Sequence, residues 1–171
     1  MGKEAKKNME SLLASCEGSP LIGALCGHIF ERYTIELLEK GGTFTCRSLG
    51  HGKKRKKSNV NSILKIQKST KKVADKVLLG QTYNQLYVPK TSNYVAIDAW
   101  IPGVGAFQIT ISQKHDIKVR NENDFDLLGS AANKLYWLLP PLHYYSFTKK
   151  KPHSIDQYAV LIPYPQLTQE T

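Results

Sequence analysis

The sequence predicts an α/β protein in which one β-sheet is flanked by helices. The first sign is a long helical pattern, Leu21–Glu39, which ends at two glycines. The second is a set of short apolar segments with strand spacing, of which residues 94–112 form a predicted β-hairpin. Strands in one sheet flanked by helices make a layered α/β domain. With 171 residues, the chain is long enough for one such domain with its own core.

Two shorter helical patterns accompany the long helix. Residues 3–16 predict a short amphipathic helix, and residues 122–133 predict a modest helix after the hairpin. Ser19 and Pro20 predict an N-cap followed by proline at the first position of the long helix. The main apolar stripe of that helix consists of Leu21, Ile22, Leu25, Ile29, Tyr33 and Leu37.

Several strand patterns surround the hairpin. Residues 63–79 are ambiguous: they fit a strand followed by a helical piece, but Ile63, Leu64 and Ile66 suit either a strand or a helix. The segments 135–139 and 158–162 are each followed by a proline, which has no N–H to donate to a neighbouring strand. In chain order, the predicted strands are 43–49, a short patch at 86–88, the hairpin, 135–139 and 158–162.

The hairpin carries a polar pair at its centre. A three-residue turn at Pro102-Gly103-Val104 joins strands of about 94–101 and 105–112, and it sets Asp98 opposite Gln108 with Cβ atoms roughly 5 Å apart. The same register predicts an apolar face with the pairs Val95–Ile111, Ile97–Ile109 and Ala99–Phe107, and a polar face with Asp98, Gln108, Thr110 and Ser112. Packing alone would not favour this carboxylate and amide, so chemistry is expected here.

Glu31 is a second candidate functional residue, because apolar positions surround it on the helix. Ala24, Gly27, Ile35 and Leu38 form a second, narrower stripe on its side. The helix is therefore expected to be buried nearly all round, and a buried carboxylate needs a partner, a metal or a proton. The alternative is a solvent-facing glutamate.

The formal net charge of +10 points to nucleic acid or an anionic surface as partner. A basic run is expected to contact phosphates or to act as a nuclear localisation signal, with further lysines downstream; the alternative is a solvated loop. These predicted nucleic-acid-binding residues are Lys53, Lys54, Arg55, Lys56, Lys57, Lys71 and Lys72.

Other features exclude several classes of protein. No apolar run of eighteen or more residues occurs, so no membrane partner is predicted. The charged N-terminus lacks the apolar segment of a secretory signal peptide. Cys16, Cys26 and Cys46 are odd in number and irregularly spaced, which predicts reduced thiols rather than a disulfide framework or a zinc site.

These elements resemble the core of the PD-(D/E)XK, or restriction-endonuclease-like, nucleases. GHIFERYTIELLEKGG resembles their first-helix motif with Glu31 at the glutamate position, Asp98 in VAIDAW resembles the strand aspartate, and Gln108-Ile109-Thr110 occupies the place of (D/E/Q)-x-K. The resemblance implies an αβββαβ core with a central mixed sheet flanked by helices. It also implies a DNA-cleaving site in which Glu31, Asp98 and Gln108 hold Mg²⁺ or Mn²⁺ and act in catalysis.

A narrower resemblance covers most of the chain. LxGHxFERYxxxLLxxGG, DAWxPGxGAFQxTxS, LYWLLPP and IDQYAVLIPYP resemble the C-terminal domain of Crinkler effectors, to which retrotransposon-hot-spot proteins are similar. It implies a nuclease-like domain at 19–165, after an N-terminal helical extension at 1–18 and before a tail at 166–171. It further implies an effector that acts in a host cell, commonly in the nucleus.

One part of the nuclease pattern is missing. Thr110 stands where the family has its lysine, and threonine cannot serve as a cation. Lys134 is the preferred replacement, ahead of Lys114, because it comes from another element and could enter the site from there. The alternative is a catalytically degenerate module that binds DNA or a host protein without cleavage.

Overall fold

A computed structural model describes residues 20–50, 60–74, 82–90, 97–113, 134–150 and 155–164 of the chain. Within these stretches the protein has the predicted α/β composition, with one mixed sheet of eight strands. The helices are α1 (Pro20–Lys40) and α2 (Pro141–Tyr144). The strands are β1 (Gly42–Gly50), β2 (Asn61–Ile66), β3 (Lys72–Ala74), β4 (Tyr87–Pro89), β5 (Ala99–Ile101), β6 (Gly105–Ile109), β7 (Lys134–Leu139) and β8 (Asp156–Leu161).

The long helix has the predicted bounds, within one residue at each end. Pro20 is its first residue, where the missing N–H costs nothing. Gly41 ends it in the left-handed conformation, with φ 68°, and donates its N–H to Leu38 O at 3.1 Å.

The buried face of α1 is not the predicted main stripe. Leu21, Ile22, Leu25 and Ile29 remain exposed, at 82, 45, 61 and 54%. The helix is therefore amphipathic rather than buried nearly all round. Its core side includes Ile35 and Leu38 of the narrower stripe, whereas Ala24 of that stripe is exposed. The buried residues of α1 are Cys26, Phe30, Thr34, Ile35 and Leu38.

The strand order is β2-β1-β8-β7-β6-β5-β4-β3. The three central strands β8, β7 and β6 are parallel, and antiparallel pairs join β1 to β2, β1 to β8, β5 to β6 and β4 to β5. The edge strand β3 runs parallel to β4. Residues 72–74, part of the ambiguous segment 63–79, form this edge strand.

The sheet curls around α1. Its two edge strands, β2 and β3, are joined by only residues 67–71, so their linked ends lie within about 20 Å of each other. Accordingly Leu64 and Ile66 of β2, Leu86 beside β4, and Phe30 and Leu38 of α1 belong to one buried cluster. A second cluster covers the other face, where Tyr144 and Phe147 pack against Trp137 of β7.

The hairpin turn is correct and its strands are shorter than predicted. Residues 102–104 form the turn, Gly103 has φ 87°, and Ala99 pairs with Phe107 as predicted. The prediction of one polar face is wrong, because every residue of β6 is buried. Trp100 and Ala106, which share the parity of Gln108, pack in the second cluster.

Several predictions lie outside the described residues: the helices at 3–16 and 122–133, the extension 1–18 and the tail 166–171. The αβββαβ arrangement stays a prediction, since the described sheet has eight strands rather than four. The thiol prediction is wrong for Cys26, which is disulfide-bonded, whereas Cys46 is a free thiol. No helix in the described stretches is long and apolar enough to cross a membrane.

Candidate functional site

Asp98 lies at an irregularity of the hairpin that the sequence did not predict. The Asp98 N–H donates to Phe107 O at 2.9 Å, although the ladder pairs Phe107 with Ala99. Two residues therefore face one residue of β6, which is the pattern of a β-bulge. A bulge re-aims the side chains around it. Ile97 accordingly packs in the second cluster rather than with Ile109, which lies in the first.

Beside the bulge, the Asp98 carboxylate accepts a hydrogen bond that a main-chain carbonyl would accept in a regular hairpin. Its Oδ2 accepts the Ile109 N–H at 2.6 Å and the Gln108 Nε2–H at 2.8 Å. The predicted pairing of Asp98 with Gln108 is thus confirmed as a side-chain hydrogen bond. Because the Ile109 N–H donates to this side chain and not to a main-chain carbonyl, regular strand pairing stops at Asp98 and β5 begins at Ala99.

Asp98 is electrostatically coupled to α1. Burial raises the pKa of Asp98 to about 7; the hydrogen bond from Ile109 lowers it in part, and the Glu31 carboxylate raises it further. A like charge acts this way only when it lies nearby. The fold therefore brings Glu31 and Asp98, 67 positions apart in the chain, into one electrostatic site.

Glu31 sits at the rim of this site rather than in the core. Its side chain is 44% exposed, and its Oε2 lies 3.8 Å from Nδ1 of His28 one turn earlier. The expectation of a buried glutamate is therefore wrong. A half-exposed carboxylate beside a desolvated one is nonetheless suited to a cation that approaches from solvent.

Gln108 and Thr110 take different roles. Gln108 is buried and turns its NH₂ group toward Asp98, since only that end of the amide can donate. Thr110 closes a local turn instead: its Oγ1 accepts the Ser112 N–H at 3.1 Å, while its own N–H donates to Leu138 O at 3.2 Å. Thr110, at the position where the resemblance to the nuclease pattern implies a lysine, therefore has a structural role through its hydroxyl.

Lys134 lies away from Gln108 along the sheet. It begins β7 and is exposed, and the parallel register sets Trp137, not Lys134, beside Gln108. Lys134 lies three residues before Trp137 on the strand, which places it about 10 Å along the sheet from Gln108. The main chain of Lys134 lies against Gly105 at the turn end of β6, where a Cβ on that glycine would meet Lys134 O at 2.7 Å. The role of Lys134 as a replacement for the lysine of the nuclease pattern stays a prediction, and its place at the start of β7 does not support it.

The predicted phosphate-binding residues are only partly described. Lys53 to Lys57 lie outside the described residues. Lys71 and Lys72 are exposed at the start of edge strand β3, and the Lys71 N–H donates to Glu39 Oε1 at 2.9 Å near the end of α1. The strand order separates β3 from β5 by β4, so these lysines do not adjoin Asp98.

The donor set fits a hard divalent cation in part. Two carboxylates supply the oxygen ligands that Mg²⁺ prefers, and Mg²⁺ commonly keeps several waters. Burial is the main cause of the raised pKa of Asp98, and a cation would offset the smaller contribution from the like charge of Glu31. Gln108 fits only if its amide turns, because its NH₂ now faces Asp98. Among the described residues, no three His, Cys, Asp or Glu side chains converge as a metal site.

Arg47 is a buried residue whose role the sequence did not reveal. It occupies a strand position, and its described hydrogen-bond partners are main-chain carbonyls of Tyr144, Tyr145 and Phe147. The sequence features that bear on this role are a single arginine in an alternating strand pattern and an aromatic cluster at 143–151. Nothing in their spacing connects two segments that lie almost a hundred positions apart.

Comparison with known proteins identifies relatives of almost the whole chain. Crinkler effector protein 16 and Crinkler effector protein 15 of Phytophthora infestans are each 48% identical to it over 167 residues. The alignment covers 96% of this chain, which spans only about a quarter of the length of each relative (27%). No protein-family model and no solved structure matches the chain. Over nearly its whole length, the chain is therefore homologous to one region of the Crinkler effector proteins.

Proposed function

We propose that this chain is a nuclease-like effector module that binds DNA and hydrolyses phosphodiesters with Mg²⁺ or Mn²⁺. One observation carries the proposal: a desolvated Asp98, with its pKa raised to about 7, lies within electrostatic reach of Glu31 from another element. A carboxylate with a strongly perturbed pKa beside a second charged group from another element is typical of functional sites. The resemblance of Glu31, Asp98 and Gln108 to the restriction-endonuclease-like pattern gives the chemical class.

Each residue has a defined part in this proposal. Asp98 and Glu31 would hold the cation, and Gln108 would keep Asp98 in place through its amide. The Ile109 N–H fixes the orientation of the Asp98 carboxylate in the same way. When bound, the cation would supply Lewis-acid stabilisation of a phosphoryl oxygen and a more acidic water.

Plasmid cleavage tests the enzymatic part. Purified wild type is compared with Asp98→Asn and with Glu36→Gln, a control on the same helix whose carboxylate pairs with Arg32 at 3.4 Å. Wild type and Glu36→Gln should nick supercoiled plasmid in Mg²⁺ or Mn²⁺ and not in EDTA, while Asp98→Asn should lose at least a hundredfold in rate. No cleavage by any of the three proteins in either metal would overturn the enzymatic proposal.

A catalytically degenerate module is the second candidate. The Thr110 hydroxyl accepts a hydrogen bond within a local turn, and Lys134 lies about 10 Å along the sheet from the level of Gln108. Neither residue therefore supplies the lysine of the nuclease pattern beside Asp98. Under this alternative the chain binds DNA or a host protein without cleavage. DNA binding by wild type that persists unchanged in Asp98→Asn, with no cleavage by either, would favour it.

We also propose that the protein acts in the nucleus of a host cell. The support is its homology to proteins named as effectors and the basic run Lys53–Lys57. A fluorescent fusion expressed in plant cells should concentrate in nuclei. Replacement of the five basic residues by glutamine should distribute it evenly, whereas unchanged nuclear accumulation would exclude the run as a localisation signal.

A further inference from the structure

Residues 144–150, which begin at the last residue of α2, form a surface that the proposed function does not use. Arg47 fixes the first half of this segment from within the core. Its Nη2 donates to Tyr144 O at 2.6 Å, to Phe147 O at 2.7 Å and to Tyr145 O at 3.2 Å. Burial lowers the pKa of Arg47 and so opposes its charge. The guanidinium carbon of Arg47 also lies 5.4 Å from the centroid of the Tyr144 ring. Because desolvation of a guanidinium opposes folding, its use to hold this loop indicates that the conformation of the loop matters.

A second buried side chain fixes the other half. Gln157 is fully buried, accepts the Lys150 N–H at 3.0 Å and donates to Lys150 O at 2.6 Å. Its Oε1 also accepts the Trp137 indole N–H at 3.0 Å. The segment is therefore held at both ends by polar side chains of the sheet, although most of it has no regular secondary structure.

The fixed segment presents an aromatic ring to solvent. Tyr145 is 70% exposed, and its ring stands edge-on against Tyr144, with centroids 4.9 Å apart. Tyr144 is fully buried and its hydroxyl donates to Asn61 Oδ1 at 3.0 Å, so the ring against which Tyr145 packs is held in place. An exposed ring on a rigid support loses little entropy when a planar group stacks on it.

Two lysine ammonium groups belong to the same segment. Lys149 Nζ donates to Gly50 O at 3.3 Å, and Lys150 Nζ donates to Gln113 O at 2.6 Å. Lys150 also lies over the Phe147 ring, 5.3 Å from its centroid. Burial lowers the pKa of Lys149, and the nearby Asp156 carboxylate partly compensates. A partly desolvated ammonium gains from an anion such as phosphate.

The surface connects two regions already described. Gly50 and Asn61, which bond to Lys149 and Tyr144, are the strand residues on either side of the basic run. Gln113, four residues beyond Ile109, donates through Nε2 to Ser146 Oγ at 2.7 Å and lies 3.1 Å from His143 Nδ1. The segment thus extends from the strand end near Asp98 toward β1.

We propose that Tyr144–Lys150 is a binding surface for unpaired nucleotides of a single-stranded nucleic acid, with Tyr145 stacking on a base and Lys149 and Lys150 contacting phosphates. The proposal deepens the nucleic-acid binding of the proposed function by naming its substrate class. Stacking on a side chain requires a base that is not already stacked in a duplex. Adjacent lysines supply the phosphate attraction that such sites combine with aromatic rings.

Fluorescence anisotropy in EDTA tests the surface without cleavage. The probes are fluorescein-labelled dT15, U15 and a 15-base-pair DNA duplex, which separate DNA, RNA and duplex binding. Tyr145→Ala should weaken binding of at least one single strand about 5- to 100-fold, and Tyr145→Phe should retain it. Duplex binding should change less than twofold. Lys149→Ala/Lys150→Ala should reduce the slope of log K against log salt by about 1.4.

The matched control is Tyr83→Ala, since Tyr83 is 73% exposed and lies before β4. It should bind all three probes like wild type. Thermal melting confirms that each variant is folded, and cross-linking of an iodouracil-substituted single strand should map to residues 142–150.

Three outcomes would overturn the proposal: no single-strand binding by wild type, equal losses in Tyr83→Ala and Tyr145→Ala, or Tyr145→Ala binding like wild type. The proposed hydrolysis can fail independently. Single-strand binding that depends on Tyr145 in a protein that does not cleave plasmid would retain this surface and reject the enzyme.

Discussion

Asp98 combines a sequence feature with an environment that only the fold supplies. The Asp98–Gln108 pair follows from the spacing around a glycine turn, and the hydrogen bond between these side chains confirms it. The bulge at Asp98 does not follow from that spacing, because a regular hairpin and a bulged one share the same turn. Burial of Asp98, and to a smaller extent the Glu31 carboxylate, raise the pKa of this residue, and the spacing of the pair predicts neither.

The raised pKa of Asp98 predicts a pH-dependent stability. Between pH 4 and 7 the folded protein holds a proton on Asp98 that the unfolded chain has released. The folded state then binds more protons, so the free energy of unfolding should fall as pH rises, by at most about 1.4 kcal/mol per unit. Above pH 7 both states are ionised at this group and the effect levels off.

Asp98→Asn should remove this dependence, because an amide keeps an acceptor and carries no charge. Urea unfolding of both proteins at pH 4.5, 6 and 8 measures it. The variant should be more stable than wild type at pH 8, and the difference should shrink toward pH 4.5. Parallel pH profiles for the two proteins would show that Asp98 does not titrate in this range.

Glu31→Gln should lower the pKa of Asp98. The Glu31 carboxylate opposes ionisation of Asp98, and glutamine removes that charge while it keeps the size of the side chain. Carbon-13 NMR of the aspartate carboxyl groups measures the midpoint directly. Glu36→Gln, which removes a carboxylate paired with Arg32 elsewhere on the helix, should leave it unchanged. The same shift in both variants would mean that only net charge matters.

At the level of elements, α1 shows how far a helical pattern can be interpreted. Its existence and bounds follow from apolar periodicity, Pro20 and Gly41. Its buried side does not, because apolar residues lie on several sides of the helix and the periodicity does not say which side meets the sheet. The sheet selects Phe30, Ile35 and Leu38, which join the large cluster with β2, β6 and β7.

Two leucines of α1 should therefore respond differently to truncation. Leu38 is fully buried and Leu25 is 61% exposed. Leu38→Ala should destabilise the protein by about 2–5 kcal/mol, since it removes packed volume from the core. Leu25→Ala should change stability by less than about 0.5 kcal/mol. Urea denaturation at one pH compares them, and a larger loss for Leu25→Ala would place the core on the opposite side of the helix.

For the whole molecule, the carboxylate site exists only when α1 and the β5–β6 hairpin are packed together. A cation that binds this site therefore binds the folded state and stabilises it. At ten times its dissociation constant, Mg²⁺ should add about 1.4 kcal/mol. Wild type and Glu36→Gln should melt at a higher temperature in MgCl₂ than in NaCl of equal ionic strength. Asp98→Asn should not, and an equal rise in all three proteins would argue for non-specific ion effects.

The sequence by itself determined the α/β class, the long helix, the hairpin turn, and Glu31 and Asp98 as candidates. These depend on local periodicity, turn chemistry and residue type, which are properties of short segments. Only the tertiary structure decided which face of α1 is buried, that Lys134 lies away from Asp98, and that Arg47 supports Tyr145. Those outcomes depend on strand order and on contacts between residues far apart in the chain, and no local pattern encodes them.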